Sequence, residues 1–222
     1  MKGTLLLLLL LLKMPPAATP GAVRVTFSAL TKAAYLEAKK VAVLTKPAMT
    51  FPLKKAQGRV VIPTAKGSKA FQDNAVDEEN PDWEKYTYLG YWPQFGCHLI
   101  LHNHYEWSNY ILLNRNGQEV ELCEPPIYSP DLKSFVAISS GIEYWANSNS
   151  IQLFRFQNGT WRQIWKVEPA VEPATWEPNE IYWLSANSLI LKKRMWTGKN
   201  PGGTYTYAKL TIRSSASTAH HP

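Results

Sequence analysis

Three apolar runs, each preceded by a tyrosine and a turn, dominate the hydrophobic pattern of this chain. They occupy residues 99–101, 135–138 and 189–191. Because a run without polar alternation supplies apolar side chains to both faces of a strand, each run predicts a strand that is covered on both sides. The preceding tyrosines, at positions 91, 128 and 182, are 37 and 54 residues apart, so the units repeat at an irregular spacing.

Two Asn-Gly pairs predict tight hairpins inside the first two units. Asn116-Gly117 and Asn158-Gly159 each stand between segments rich in β-branched and aromatic residues. Asn-Gly readily adopts the positive φ angles that a two-residue hairpin turn requires. The third unit ends in the alternating segment TYTYAKLTIR, which follows a KNPGG turn and is typical of a further strand.

The repeated units predict the fold class. Four strands in each unit of about 40–50 residues are typical of blades. We therefore predict an all-β domain of antiparallel, blade-like repeats over residues 54–213, which form a small or incomplete β-propeller. A β-sandwich or an open stack of meanders is the alternative.

A short helix is predicted ahead of this domain, within a basic segment that spans residues 23–53. The stretch SALTKAAYLEAKKVAV is rich in strong helix formers, and Ser28 can cap it. Residues 24–70 carry ten Lys or Arg side chains against Glu37 alone. Basic segments can bind nucleic acid or anionic surfaces. The aromatic interleaving on which bases stack is lacking here, so nucleic acid is not an expected partner.

The first 22 residues predict an export signal. Lys2 precedes eight consecutive leucines at positions 5–12, and small residues follow, with Ala18 or Ala22 as the cleavage point. Eight leucines are far fewer than the ~20 apolar residues of a membrane span, and no later segment is apolar enough to span a membrane. We therefore expect a secreted or periplasmic protein without a transmembrane segment after signal removal. Its tail, residues 214–222, is expected to be disordered.

Export changes the interpretation of the two cysteines. In an oxidising compartment Cys97 and Cys123 are a candidate disulfide, with two buried thiols as the alternative. In the chain-entropy model, a disulfide that closes a loop of this length would stabilise the fold by about 3–4 kcal/mol.

The segment YSPDLKSFVA carries a resemblance to known proteins. It resembles the Ser-Pro-Asp-Gly-Lys turn and following apolar strand of exported bacterial β-propeller proteins, and residues 54–213 resemble uncharacterised exported proteins built from such blades. Leu132 stands where that motif prefers glycine. The motif is structural, so the resemblance implies a fold and no catalytic residue.

The segment HLILHNHYEW holds three of the five histidines and raises the question of a metal site. Residues of one parity share a face of a strand, so His98, His102, His104 and Glu106 would line up together. The segment also resembles the start of the cupin metal motif, but its glutamate comes too early and no further histidine follows before His220. Because a turn is due after the apolar run, polar residues are expected there without any metal. We therefore predict no cofactor, and His102, His104 and Glu106 are the candidate ligands of the alternative.

No catalytic motif is present. The sequence lacks a nucleophile elbow, a phosphate loop, a dinucleotide fingerprint and a Cys-x-x-Cys pair. We therefore predict no catalytic residues and favour a protein that is not an enzyme.

Aromatic residues are abundant, with nine Trp and eleven Tyr in 222 residues. Trp92, Trp107 and Trp145 lie beside predicted turns and could share a binding rim, because aromatic rings give large contact areas at small entropic cost. The alternative is that such rings pack between the strands. We predict an exported binding or scaffolding module with an unknown protein or glycan ligand. An exported metal-binding protein or metal-dependent enzyme that uses the histidine cluster is the second hypothesis.

Overall fold

A computed structural model describes residues 23–74, 76–141, 148–169, 175–196 and 201–214. Over these residues the chain is mostly β, with antiparallel strands and one helix, which confirms the predicted all-β class. The elements are β1 (Val23–Leu30), α1 (Lys32–Lys40), β2 (Arg59–Thr64), β3 (Gly67–Gln72), β4 (Glu84–Trp92), β5 (Cys97–His104), β6 (Ser108–Asn114), β7 (Glu119–Leu122), β8 (Ile127–Tyr128), β9 (Ser134–Ser139), β10 (Ser150–Gln157), β11 (Thr160–Val167), β12 (Thr175–Ser185), β13 (Ser188–Trp196) and β14 (Pro201–Ser214).

The strands form three four-stranded sheets and one separate hairpin. The first sheet has the order β4-β5-β6-β7 and the second the order β8-β9-β10-β11, so each is a simple meander. The third sheet has the order β12-β13-β14-β1, and β2 and β3 form the hairpin. Among the described residues, no helix is long and apolar enough to cross a membrane.

The N-terminal boundary of the β domain differs from the prediction. Residues 23–30 are a strand that pairs antiparallel with β14, from Val23 opposite Ser214 to Leu30 opposite Tyr207. The β domain therefore includes residues 23–30, the first part of the segment that was predicted to precede it, and Ser28 lies in a strand. The helix begins after Thr31, whose side chain accepts a hydrogen bond from the Ala34 amide at 3.1 Å. The predicted signal (1–22) and residues 215–222 of the predicted tail lie outside the described residues.

Both predicted Asn-Gly hairpins are present. Asn158 and Gly159 have φ angles of 51° and 74° and form a two-residue turn between β10 and β11. The turn between β6 and β7 is longer than predicted, and of its Asn-Gly pair Gly117 has the positive φ, 75°. The chain still reverses there because the Gly117 amide donates to the Asn114 carbonyl oxygen at 3.0 Å.

Three apolar clusters join the sheets face to face in chain order. The first contains residues from the third and second sheets, the second from the second and first sheets, and the last from the first sheet and the β2-β3 hairpin. Neighbouring residues of β5 contribute to different clusters: Leu99 packs towards the second sheet and Ile100 towards the hairpin. This arrangement confirms that the apolar run of β5 is covered on both faces.

Residues 41–56, which we call the strap, run from the helix to the hairpin along the first strand of each sheet. Isolated bridges pair Val43 with Trp183, Thr45 with Tyr128 and Thr50 with Tyr91. Gly90 permits this close approach: it has a φ of 143°, and an added Cβ would lie 2.2 Å from the Met49 sulfur. The strap therefore connects all three sheets along one edge.

The Ser-Pro-Asp turn forms although glycine is missing from it. Leu132 adopts a φ of 58°, a conformation that non-glycine residues rarely take. Asp131 Oδ1 holds the turn by accepting hydrogen bonds from Ser129 Oγ at 2.7 Å and from the Lys133 amide at 3.1 Å. The local hydrogen bonds thus stabilise the conformation that glycine would adopt without them.

The predicted disulfide is wrong, because Cys97 and Cys123 are both free. Cys97 lies opposite Asn114, whereas Cys123 follows Leu122, which lies opposite Tyr110 near the other end of β6. Strand spacing and rise place the two Cα atoms roughly 19 Å apart, whereas a disulfide requires less than about 7 Å.

Glu180 on β12 fixes the helix to the third sheet. Its carboxylate accepts hydrogen bonds from Lys39 of the helix, from Lys192 at 2.9 Å and from the Tyr182 hydroxyl at 3.1 Å. Partial burial alone would raise the pKa of Glu180, but these hydrogen bonds outweigh it and lower the pKa to about 2.

We expect the substitution Glu180→Gln to lower the free energy of unfolding by about 1–2 kcal/mol at pH 7, after allowing for solvent screening. A carboxylate with a lowered pKa stabilises the fold above its ordinary pKa of 4.5, and this stabilisation is lost as the pH falls towards 2. Urea unfolding between pH 7 and pH 2 measures the effect. Glu37→Gln, in an exposed pair with Lys40, is the matched control. An equal pH dependence in both variants would contradict the prediction.

Candidate metal centre

The pairing of β4 with β5 brings a carboxylate to two of the clustered histidines. Even-numbered residues of β5 share one face, and Ile100 on that face packs against the β2-β3 hairpin. Beyond Ile100 the same face continues with His102 and His104. The register places Glu84 directly opposite His104. Since opposite residues of an antiparallel pair project to the same face, the three side chains meet at the end of β5.

The distances between these three side chains are short. Glu84 Oε1 lies 3.7 Å from His102 Nε2 and 3.6 Å from His104 Nδ1. One ligand atom from each residue can be chosen so that all three lie within 4.8 Å of one another. Zinc bonds of 2.0–2.1 Å in a tetrahedral site separate ligand atoms by about 3.3 Å. Small side-chain rotations therefore suffice to hold one ion.

Two aromatic rings fix the orientation of the imidazoles. Tyr86, opposite His102 in the register, stacks on its ring at 4.0 Å between centroids. Trp107 stacks on the His104 ring at 3.6 Å, and the His104 amide donates to the Trp107 carbonyl oxygen at 2.7 Å. The turn between β5 and β6 thus places the Trp107 ring against His104.

The His102 imidazole is suited to bind a cation as a neutral ligand. Burial lowers the pKa of His102 below its ordinary value, and the charge of His104 lowers it further, while Glu84 acts in the opposite direction. Both Nε2 atoms are buried, and neither has a hydrogen-bond partner among the described residues. The Glu84 side chain is 40% exposed, against 10% for His102 and 18% for His104, so solvent reaches the cluster on the Glu84 side.

The other residues of the histidine segment do not join the cluster. Glu106, the carboxylate predicted from sequence, is exposed and follows the end of β5. His98 shares the face of His102 but lies near the opposite end of β5. Its Nδ1 is 3.1 Å from the Tyr88 hydroxyl, and its ring lies against Tyr91. Among the candidate ligands of the metal-binding alternative, His102 and His104 therefore remain, and Glu84 takes the place of Glu106.

The predicted tryptophan rim is wrong. Trp92 is only 3% exposed and packs edge-on against Tyr128 in the cluster between the first two sheets. Trp107 is 40% exposed, but it lies at the β5-β6 turn, whereas Trp92 ends β4 at the other end of β5. Trp145 lies outside the described residues. Trp92 is therefore a core residue and cannot anchor a ligand.

Glu84 is the site residue that sequence reasoning missed. It precedes His102 by 18 residues, and only the strand register brings the two together. The alternation Glu84, Tyr86, Tyr88 along one face of β4 is the signal that could have pointed to it.

Comparison with protein-family models, with curated proteins and with solved structures found no match to this chain. The arrangement of two imidazoles and a carboxylate on adjacent strands is therefore interpreted from its chemistry alone.

Proposed function

We propose that this chain is an exported metal-binding protein that holds one divalent transition-metal ion between Glu84, His102 and His104. The observation that carries the proposal is the convergence of one atom from each residue within 4.8 Å. The proposal replaces the sequence-based expectation of no cofactor, and it favours the second of the two functions that the sequence left open.

The unsatisfied nitrogens support binding rather than a purely structural role. A buried polar atom without a hydrogen-bond partner costs about 1–3 kcal/mol. The cluster contains two such atoms, the Nε2 atoms of His102 and His104, within contact of each other's rings. A cation bound by His102 Nε2 would satisfy one lone pair that the fold leaves unused. The fold would be more stable if apolar rings replaced both imidazoles, so stability alone does not explain their presence.

The donor set selects the class of metal. Two imidazoles and one carboxylate suit zinc, copper(II) and other borderline ions, whereas calcium and magnesium prefer sites made of oxygen atoms alone. No thiolate belongs to the cluster, because Cys97 lies at the other end of β5 and Cys123 follows β7, two strands away from β5. Three protein ligands leave one position of a tetrahedral ion open, and the exposed Glu84 side gives water or an external ligand access to it.

The scaffold of the site is proposed to be an incomplete array of blades. Three four-stranded antiparallel sheets in chain order support this architecture, as does the pairing of β1 with β14, which completes the last sheet from the N-terminus. The proposed resemblance to exported β-propeller proteins fits such an array. A crystal structure in which β4, β8 and β12 fail to converge on one side would contradict it.

The test uses untagged protein from the exported fraction, since a histidine tag would bind the same metals. N-terminal sequencing should show cleavage after Ala18 or Ala22, as the proposed signal implies. Elemental analysis and calorimetric titration with zinc chloride should then give one ion per chain. Glu84→Gln removes a ligand charge and should weaken binding about tenfold or more. Glu106→Gln, at the exposed carboxylate beside the cluster, should leave binding unchanged.

Two results would contradict the proposal. One is the absence of saturable zinc and copper(II) binding by folded wild-type protein. The other is binding that Glu106→Gln and Glu84→Gln weaken equally, which would place the ion on the general acidic surface. Retention of the uncleaved N-terminus in the cell would contradict export alone and leave the metal centre standing.

A further inference from the structure

The helix and the strap expose an unusual amount of apolar surface. Six of the eleven exposed large hydrophobic residues among the described parts of the chain fall within residues 32–54. The three most exposed of all are Val41 at 71%, Leu44 at 70% and Phe51 at 70%. The other three are Leu36, Val43 and Met49. Single exposed apolar side chains are ordinary, but a contiguous stretch of them marks an interaction surface.

The same stretch is strongly basic. Residues 32–54 carry five lysines against Glu37 alone. Glu37 is already paired with Lys40. Lys32, Lys46 and Lys54 are exposed, and no carboxylate within the described ranges pairs with them. Free positive charges thus alternate with exposed apolar side chains along one continuous segment.

We propose that residues 32–54, the helix and most of the strap, dock this protein on the surface of an anionic lipid bilayer. Apolar side chains inserted at the level of the headgroups and lysines that contact anionic lipids together give stable peripheral binding. Leu44 and Phe51 are the inserted anchors, and Lys46 and Lys54 are the charges that select anionic lipid.

The composition of the surface favours lipid over a macromolecular partner. Of the aromatic and arginine anchors typical of protein interfaces, residues 32–54 expose only Phe51. They also lack the several exposed rings on which single-stranded nucleic acid stacks. A bilayer requires only apolar and cationic groups on one surface, and the strap supplies both.

The surface is separate from the metal centre. Residues 43–50 of the strap contact the first strands of the sheets at Tyr91, Tyr128 and Trp183, whereas the ligands lie where β4 begins and β5 ends. The strap approaches the ligands beyond this surface, at Lys55, whose ammonium group donates to the Tyr86 carbonyl oxygen at 2.6 Å. The two proposals can therefore fail independently.

The experiment is co-sedimentation of the full exported chain with vesicles of phosphatidylglycerol or of phosphatidylcholine. Wild type should bind the anionic vesicles and lose affinity as the salt concentration rises. Lys46→Gln combined with Lys54→Gln should weaken binding about 25-fold, since each surface lysine contributes about fivefold. Leu44→Ser combined with Phe51→Ser should weaken binding about tenfold or more. Lys133→Gln and Tyr105→Ser change an exposed lysine and an exposed ring outside the surface, and each should bind like wild type.

Three outcomes would overturn the proposal. One is the absence of binding to anionic vesicles at low salt. Another is equal binding to both lipids, unaffected by the strap variants. The third is a concentration-dependent dimer in analytical ultracentrifugation that Leu44→Ser and Phe51→Ser abolish, which would assign the surface to a second copy of this chain. The zinc affinity of the two strap double variants should equal that of wild type, and this result would separate the lipid surface from the metal centre.

Discussion

Replacing His102 with alanine is expected to abolish zinc binding, with a loss of affinity of more than about a hundredfold. Outer-shell groups around a metal typically contribute 10–100-fold, and a ligating imidazole contributes more than they do. At zinc concentrations a hundredfold above the dissociation constant, the wild type should gain about 2.7 kcal/mol in free energy of unfolding. His102→Ala should lose that gain. Thermal unfolding with and without zinc measures it.

His98→Gln is the matched control for this substitution. His98 lies on the same strand and the same face, and burial lowers its pKa as it lowers that of His102. Its ring is instead engaged by Tyr88 and Tyr91. If zinc stabilises His98→Gln against unfolding but does not stabilise His102→Ala, the ion is bound at His102. Equal stabilisation of both variants by zinc would refute the assignment.

A second substitution separates loss of the ligand from damage to the fold. His102→Phe keeps an aromatic ring stacked on Tyr86 and removes a buried nitrogen that has no partner within the described residues. Replacing an unsatisfied polar group with an apolar one of similar shape is nearly neutral or stabilising. We therefore expect this variant without zinc to unfold at or above the wild-type temperature while failing to bind the ion. Such a trade of stability for binding is typical of functional sites.

The strands and hairpins of this chain could be predicted because their signals are local. The apolar runs of β5, β9 and β13 and the pair Asn158-Gly159 favour their conformations through residues within about ten positions along the chain. The turn at Leu132 shows where this reasoning ends. Glycine would have signalled the positive φ, but the hydrogen bonds to Asp131 that stabilise the turn were visible only in the structure.

The errors concern contacts between residues distant in sequence. The predicted helix began at Ser28, but residues 28–30 belong to a strand that pairs with β14 about 180 residues later. Pairing of that kind outweighs the helix-forming composition of these few residues, because a ladder of hydrogen bonds and burial on one face exceed small intrinsic preferences. Glu84 was missed as a candidate ligand for the same reason, because only the register of β4 against β5 brings it to His102 and His104.

Trp92 illustrates a related limit on reasoning about exposure. It stands beside the turn residues Pro93 and Gln94, a context that favours the surface. The neighbouring sheet covers it, and sequence does not show which sheet packs against which turn. The distinction between a core ring and a binding ring therefore depended on the order in which the sheets stack.

Trp183 should be the most sensitive tryptophan among those the structure describes. Its side chain is fully buried in the cluster between the second and third sheets, and its indole nitrogen donates to the Ile127 carbonyl oxygen at 2.8 Å. Its own carbonyl oxygen accepts from the Val43 amide of the strap at 2.9 Å. Two sheets and the strap thus meet at one residue.

We expect Trp183→Ala to lower the free energy of unfolding by about 3–5 kcal/mol, because a large cavity opens where two sheets pack. The Ile127 carbonyl oxygen also loses its donor, which adds to the cost. Trp183→Phe keeps most of the ring volume and should lower the free energy of unfolding by less than the alanine variant does. The difference between the two losses measures the cost of the cavity. Tyr105→Ala is the control, since this aromatic side chain is 45% exposed and its loss should change stability by less than about 1 kcal/mol. Urea unfolding followed by far-UV circular dichroism measures all three variants. If Trp183→Ala unfolded within 1 kcal/mol of wild type, the second and third sheets could not pack through this ring, and the stacked order of the sheets would have to be abandoned.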